Sequence, residues 1–432
     1  MNGDISCMER AYKFRIYPNL TKQERIDELL ILAQQFYNRL LEKSIESYKS
    51  EKTKISMAQL NRFAKEIIQE EGKYLKLYSQ TRLDIKFRLL RAYQNFFRRI
   101  KEGKEKAGFP RFKSRDRYRS ITYPQDNGSF SIIRKGKLRV SRIGTMPIKL
   151  HRKIEGMIKT LAIKREVRSY YAIFVTINEI KRSEVKDTNP VGMDLGLNSF
   201  IALSDGTKIQ KPKFMQEKRK RITRWQRIIA RRKKGSKRRE KAKERLQIIY
   251  EHSTNQSNDF LYKLSHMLVN SVYTSFVVDD LHIQNMLKDH KLAGSIQDAS
   301  WNRFIQLLSY KAESAGLRVV KVDPRNTSKI CSNCGNVQDM PLPERTYICN
   351  RCGISIDRDI NASINILNRA TLGQRGSHAQ GDICQYVPTG DASSVEELRT
   401  DKTRPLKSCR RSPQALFVGG CHALKFLHTK NN

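Results

Sequence analysis

No uninterrupted run of about 18 apolar residues occurs in this chain, and no apolar stretch near Met1 has the character of a signal peptide, so neither a membrane span nor a membrane partner is expected. Acidic residues are scarce relative to basic ones. Asp and Glu number 43 against 84 Lys and Arg, a formal charge of +41, and an excess of that size works against a compact state unless a polyanion neutralises it. With membrane set aside, nucleic acid is the expected partner. Cysteine is sparse as well, at 8 in 432 residues. Four of the eight form two tight Cys-x-x-Cys pairs, which does not resemble the disulfide framework of a small secreted protein. That usage points to a reducing cytoplasm and a bound metal.

A length of 432 residues exceeds the roughly 250–300 at which single cores stop growing, so more than one domain is expected. Near the N-terminus Tyr12, Phe14 and Ile16 alternate with Arg10, Lys13 and Arg15, which is strand periodicity ended by Pro18. From Thr21, read as an N-cap with Glu24 three residues on, apolar residues recur at Ile26, Leu29, Leu30, Ala33, Tyr37, Leu40 and Leu41, the stripe of an amphipathic helix. Further helical runs cover 57–70 and 81–102. Short alternating runs at 129–133, 137–140, 160–167 and 170–177 then suit a small barrel or sandwich of strands, and 185–190 reads as a linker.

From Val191 the string VGMDLGLNSFIALSDGTKI reads as strand, tight turn and second strand, closed by Asp205-Gly206 as a hairpin. Lys218–Arg245 is dominated by basic residues over a sparse apolar face, as one long helix or a helical pair. Acidic partners at i,i+4 are few there, which favours contact with a phosphate backbone over a merely solvated face. A helical stripe at 258–273, the strand TSFVVD, a helix from Trp301 capped by Gly316, and a strand at 317–322 complete an α/β pattern around one mixed sheet. Beyond Thr371 no periodicity persists, and a loose or disordered tail is expected.

Cys331, Cys334, Cys349 and Cys352 occur as CSNCG and CNRCG. The two-residue gap lets both thiolates of a turn face one ion, and Gly335 and Gly353 permit backbone conformations that a Cβ would resist. Four sulfurs fill a tetrahedral Zn²⁺ shell and leave no position for a substrate water, so the ion is structural. A ribbon alone does not name a function.

Three aspartates supply candidate chemistry. Asp194 ends a strand before a Gly-containing turn, Asp279 ends the strand TSFVVD, and Asp359 opens the helix DINASINIL just after the ribbon. Each alone would pass for a capping or turn residue. Converging on one sheet edge, the three are what hard cations need: oxygen ligands for two Mg²⁺ ions that support phosphodiester hydrolysis. Asp357 is a rival that could cap the helix beginning near Asp359, and Asp280 should face away from Asp279 by the two-residue strand period. Arg82, Arg88, Arg91 and Arg98 on one helix, and Arg224, Arg231 and Arg232 in the basic stretch, are candidates for phosphate contact.

The strings GMDLGLNSF, VVDDLHIQNM, TSKICSNCG, CNRCG and DRDINASINIL, with YKFRIYPNLTKQ and FYNRLLE near the start, resemble the successive motifs of the TnpB family of transposon-encoded RNA-guided nucleases and its descendants, the compact type V CRISPR effectors. The resemblance spans most of 8–370. It implies a multidomain α/β protein in which a RuvC-like RNase H-fold nuclease domain (186–327 and 357–371, with a basic helical segment at 215–250) holds an inserted zinc ribbon that loads target nucleic acid (328–356). Before it would come a β-barrel wedge domain (1–20 and 105–185) containing a helical recognition insertion (21–104); 372–432 would be a disordered tail. It further implies a guide RNA, a double-stranded DNA target, and a short adjacent DNA motif, in a bacterial or archaeal cell whose nucleoid the protein joins when bound to DNA. A guide-paired heteroduplex held through its backbone needs a basic channel, which suits the charge. One protein per guide RNA and a homodimer sharing one guide RNA both fit.

The family normally presents Glu where this chain has Asp279, followed by an acidic or amide residue, here Asp280. Asp keeps the charge but is one methylene shorter, so either a guided nuclease of reduced activity or a guided repressor that binds without cutting is compatible with it. A protein-only transposase or resolvase with an RNase H-like core is the remaining alternative.

Overall fold

The computed structural model describes residues 5–51, 55–103, 108–125, 128–133, 136–181, 188–281, 286, 293–341 and 343–375. Strand β1 (Ile5–Ile16) is followed by three helices, α1 (Leu20–Glu51), α2 (Met57–Glu70) and α3 (Ser79–Lys101). Six strands come next: β2 (Ser120–Tyr123), β3 (Phe130–Ile133), β4 (Lys137–Val140), β5 (Gly144–Lys149), β6 (Met157–Arg165) and β7 (Tyr170–Lys181). All seven form one antiparallel sheet in the order β2-β6-β7-β1-β5-β4-β3. On β1, buried Tyr12, Phe14 and Ile16 alternate with exposed Lys13 and Arg15, the expected period of two. The sheet curls like a barrel, because elements from opposite edges meet. Tyr123 of β2 donates its hydroxyl to the Ser141 carbonyl beyond β4 at 2.8 Å, and Phe130 of β3 packs 6.3 Å from Phe174 of β7.

The apolar stripe expected on α1 is buried at all seven positions from Ile26 to Leu41 and shares one core with the barrel. Its cap is not Thr21. The side chain of Asn19 accepts from the Lys22 amide at 3.1 Å, and Thr21 lies inside the first turn. Pro18 fixes an extended approach, so the Asn that follows is already in capping position. On α2 a reciprocal capping box joins Ser56 and Gln59, a device that contributes about 1 kcal/mol. Two strands escape the sequence pattern. All four residues of β2 are buried, which abolishes alternation, and β5 contains Gly144 and Pro147, residues that ordinarily interrupt strands.

The second sheet comprises β8 (Pro190–Asp194), β9 (Ile201–Leu203), β10 (Lys208–Ile209), β11 (Ser275–Asp279) and β12 (Arg318–Val322), in the order β10-β9-β8-β11-β12. The first three pair antiparallel, while β11 runs parallel to β8 and β12 and is buried at every position, as a strand covered on both faces must be. The basic stretch is a helical pair. α4 (Phe214–Glu217) and α5 (Arg219–Arg231) precede a turn at Gly235, and α6 (Lys237–Val269), capped by Ser236, absorbs most of the helix expected separately at 258–273. Helices α7 (Ala293–Ala299) and α8 (Trp301–Ser314) lead to β12, with Gly316 at φ 75° closing α8 as expected. A two-stranded ribbon of β13 (Thr346–Ile348) and β14 (Ser355–Asp357) then runs straight into α9 (Arg358–Arg375). Apart from the end of α9, the tail expected beyond Thr371 lies outside the described residues. No helix among the described residues is long and apolar enough to cross a membrane.

Candidate active site and metal centre

Register brings the first two aspartates together. Parallel pairing of β8 with β11 runs to Met193↔Val278, so one step further Asp194 and Asp279 end neighbouring strands. Helix α9 delivers the third by resting directly on β8. A Cβ at Gly192 would lie 2.0 Å from the Ser363 carbonyl oxygen and 2.9 Å from Leu367 Cβ, so only glycine admits the helix here. Asp359, Ser363 and Leu367 are spaced by four and share a helix face. Four helical residues rise about 6 Å and two strand residues about 6.6 Å, so Asp359 stands opposite Asp194 when Ser363 sits over Gly192.

The electrostatics agree. Burial, and then repulsion from Asp359, pushes the Asp194 carboxyl up to about 7 against the opposing pull of Arg358 and Lys208. Asp279 is only 3% exposed, and burial followed by repulsion from Asp194 pushes it up to about 7 also, against Arg369 and Thr327. Its two oxygens differ. Oδ2 lies 3.5 Å from the Thr327 hydroxyl, whereas Oδ1 is buried with no hydrogen-bond partner. Crowded, desolvated carboxylates with an unmet oxygen fit a hard cation. The three do not close as tightly as the cysteines, the only group of metal-ligating side chains among the described residues whose ligand atoms all fall within 4.8 Å.

Both rivals behave as the strand and helix rules require. Asp357 Oδ1 accepts from the amides of Asp359 at 2.9 Å and Ile360 at 3.2 Å, making it the cap of α9. Burial opposes its ionisation, but an ion pair with Lys208 and those amides hold it below the usual carboxylate range. Asp280 is exposed and pairs with Lys321 at 3.0 Å. Sequence reasoning missed Lys208, whose Nζ also lies 3.7 Å from Asp359. Nothing local marks it; the Asp205-Gly206 hairpin carries it to the site.

In the ribbon, Cys331 and Cys352 Sγ are 3.7 Å apart and Cys334 and Cys349 Sγ 3.6 Å. Sulfurs about 2.3 Å from a tetrahedral Zn²⁺ are separated by about 3.8 Å, so these two pairs have the spacing of a filled structural shell, and all four sulfurs lie within 4.8 Å of one another. Gly335 and Gly353 take φ 72° and 71°, and their amides return to the Cys331 and Cys349 carbonyls, both at 3.0 Å. The two knuckles are therefore the same turn. Backbone amides, that of Cys352 first, lower the Cys349 thiol to about 6, toward the thiolate a metal needs.

The arginine candidates divide. Arg88 pairs with Asp84 at 2.7 Å, donates to Thr122 Oγ1 at 2.6 Å and to the Ser120 carbonyl at 3.1 Å, and lies over the Tyr118 ring. Arg82 donates to the Leu77 and Tyr74 carbonyls at 2.9 and 3.2 Å. These two are partly buried and clamp α3, their guanidinium groups held by partners the fold supplies. Arg91 is half-buried on the same helix, and Arg98 pairs with Glu102 at 3.2 Å. Arg224 and Arg231 are exposed on α5, while Arg232 is half-buried and donates to the Arg238 carbonyl.

Three known families match parts of the chain: a "Cas12f1-like, TNB domain" over 301–366, a "Probable transposase" family over 172–289, and a "Helix-turn-helix domain" over 8–53. The last region is here a strand and one continuous helix. A Streptomyces pristinaespiralis protein named "Putative RNA-guided DNA endonuclease" is 31% identical over 420 residues, spanning 95% of this chain and 98% of its own. InsQ of Escherichia coli (strain K12), similarly named, is 28% identical over 295 residues, 65% of this chain and 71% of its own. Among solved structures, the protein of a Cas12f1–sgRNA–target DNA complex shares the fold with TM-score 0.53 and 13% identity, over 83% of this chain and 98% of that one.

Proposed function

Because the chain belongs to the TnpB family of transposon-encoded RNA-guided nucleases and their compact type V relatives, we propose that it is an RNA-guided DNA endonuclease whose RuvC-type site is Asp194, Asp279 and Asp359. The observation that carries this reading is the meeting of three remote carboxylates at one sheet edge, two of them desolvated and pushed up to about 7. These aspartates would hold Mg²⁺, which when bound supplies an activated water and stabilisation of the leaving 3′ oxygen.

The chain's own residues do the rest. Asp279 offers Oδ1 while Thr327 faces Oδ2; Lys208 and Asp357 fix the start of α9 and with it Asp359. Exposed Arg224 and Arg231 of α5, with Arg91 and Arg98 of α3, are assigned to phosphates of the guide or target. The barrel is the wedge, α1–α3 the recognition insertion, and the cysteine ribbon with structural Zn²⁺ the element that loads target strand. These parts act with a guide RNA on double-stranded DNA after reading a short adjacent motif, in the cytoplasm of the cell and on its nucleoid. Light-scattering mass of the isolated particle distinguishes one protein per guide RNA from a homodimer.

Isolation with bound RNA, followed by cleavage of a matched duplex in Mg²⁺, tests the proposal. A discrete RNA and a loss of cutting in Asp194→Ala are expected. No discrete RNA after gentle isolation means a protein-only enzyme. Asp279 in place of Glu favours one other reading, a guided binder that does not cut. Comparing Asp279→Glu and Asp279→Ala with the native chain decides, since equal cleavage by all three removes Asp279 as a ligand.

A further inference from the structure

Opposite the face that rests on Gly192, helix α9 carries a polar stripe of Asn361, Asn365 and Arg369, again spaced by four. The stripe laces down the segment that leads from β12 into the ribbon. Asn361 donates Nδ2 to the Ile330 carbonyl at 2.7 Å and accepts at Oδ1 from the amide of Ser332, next to the ligand Cys331, at 2.9 Å. Asn365 donates to the same Ile330 carbonyl at 2.7 Å and to the Thr327 carbonyl at 2.9 Å. Arg369 donates to the carbonyls of Asp323 and Arg325. Asn361, Asn365 and Thr327 are 0%, 5% and 6% exposed, so loss of a bond to these groups leaves a polar atom largely cut off from water.

The lacing ends at the carboxylates. Thr327 Oγ1 lies 3.5 Å from Asp279 Oδ2 and 3.3 Å from the Pro324 carbonyl, two acceptors for one proton. With Oδ2 facing this hydroxyl, Oδ1 is the oxygen left unmet. One continuous path, buried at its Asp279 end and partly buried at the ribbon, therefore runs from the first zinc knuckle through Ser332, Asn361, the Ile330 carbonyl, Asn365 and Thr327 to Asp279. We propose that Thr327, Asn365 and Asn361 are positioning residues that couple occupancy of the zinc ribbon to the cation affinity of the Asp279 site. Zinc holds Cys331 and Ser332 in place, the two asparagines carry that placement to Thr327, and Thr327 orients the Asp279 carboxylate. The coupling rests on the cation-binding role proposed above for the aspartates.

Mn²⁺ serves as the probe, read on the purified full-length protein as the electron paramagnetic resonance change that Asp194→Ala abolishes. Thr327→Val, which keeps the side-chain shape, is expected to retain its zinc and its unfolding temperature while binding Mn²⁺ about tenfold more weakly, and Thr327→Ser to restore binding. Stripping zinc with a chelator should weaken Mn²⁺ binding in the native chain by a similar factor. It should add little in Thr327→Val or Asn365→Ala, since the path is already cut. Native affinity in Thr327→Val, or effects of chelation and substitution that multiply, would overturn the coupling. If native protein and Asp194→Ala bind Mn²⁺ alike, the cation site itself fails, and the coupling with it.

Discussion

The ribbon and the carboxylate centre are the two metal sites proposed for this chain, but they are assembled in opposite ways. Four cysteines lie within one short segment, each pair on its own glycine-closed turn, and the tetrahedral spacing follows from local backbone geometry. Asp194, Asp279 and Asp359 come from two strands and a helix far apart in the chain. Their meeting depends on strand register and on one glycine beneath a helix. Local sites tolerate distant damage; assembled sites record every shift of the elements that carry them.

Substitutions sharpen that contrast. The largest effect belongs to Asp359→Ala, expected to lower the cleavage rate by about 10²–10³-fold with RNA retention unchanged. Cys349→Ser should instead abolish zinc binding, measured with a colorimetric chelator, while circular dichroism of the remaining helices persists. If Asp359→Ala released zinc, the ribbon would not be a locally built site.

Gly192→Ala tests assembly without touching a ligand. The added Cβ must displace the Ser363 backbone, so a stability loss of about 1–3 kcal/mol is expected in thermal or urea unfolding, together with slower cleavage as Asp359 moves off Asp194. Unchanged cleavage would mean that α9 does not set the site.

Asp194 and Asp279, pushed up to about 7 by burial first, bear on stability as well. Between their ordinary range near 4 and about 7 the folded state binds more protons than the unfolded one. Metal-free stability is therefore fully present at low pH and is lost as pH rises through 7. Asp279→Asn should raise metal-free stability at pH 8 by about 1–2 kcal/mol while removing cleavage. A flat profile from pH 4 to 8 would break the premise of crowded carboxylates.

The smallest effects separate the arginines. Arg224→Ala should reduce the salt slope of nucleic-acid binding by about 1 with stability unchanged. Arg88→Ala should leave the slope alone and lower the unfolding temperature, because its guanidinium is bonded to Asp84, Ser120 and Thr122.

Much of the site was legible in advance because it rests on short-range rules. Both Cys-x-x-Cys-Gly turns, the capping role of Asp357 and the outward face of Asp280 follow from two- to four-residue geometry, and all appear in the structure. What the sequence concealed depends on partners elsewhere. Lys208 matters through a hairpin that folds it onto Asp357. Arg82 and Arg88 read as free cations on a helix until the carbonyls they bind are placed beside them. Thr21 read as a cap because Asn19, one residue past Pro18, was the less obvious of two capable side chains. β2 lost its alternation because both of its faces are covered.

By itself, then, the sequence determined the charge, the two paired cysteine turns, the order of most strands and helices and the choice of three aspartates to propose as a site, since composition and periodicity act over a few residues. Only the tertiary structure decided that Gly192 lets α9 bring Asp359 to Asp194, which oxygen of Asp279 is unmet, and which arginines are already spent. Those facts are set by packing and desolvation between segments that the fold brings together, and neither packing nor desolvation is read from the pattern of a single element.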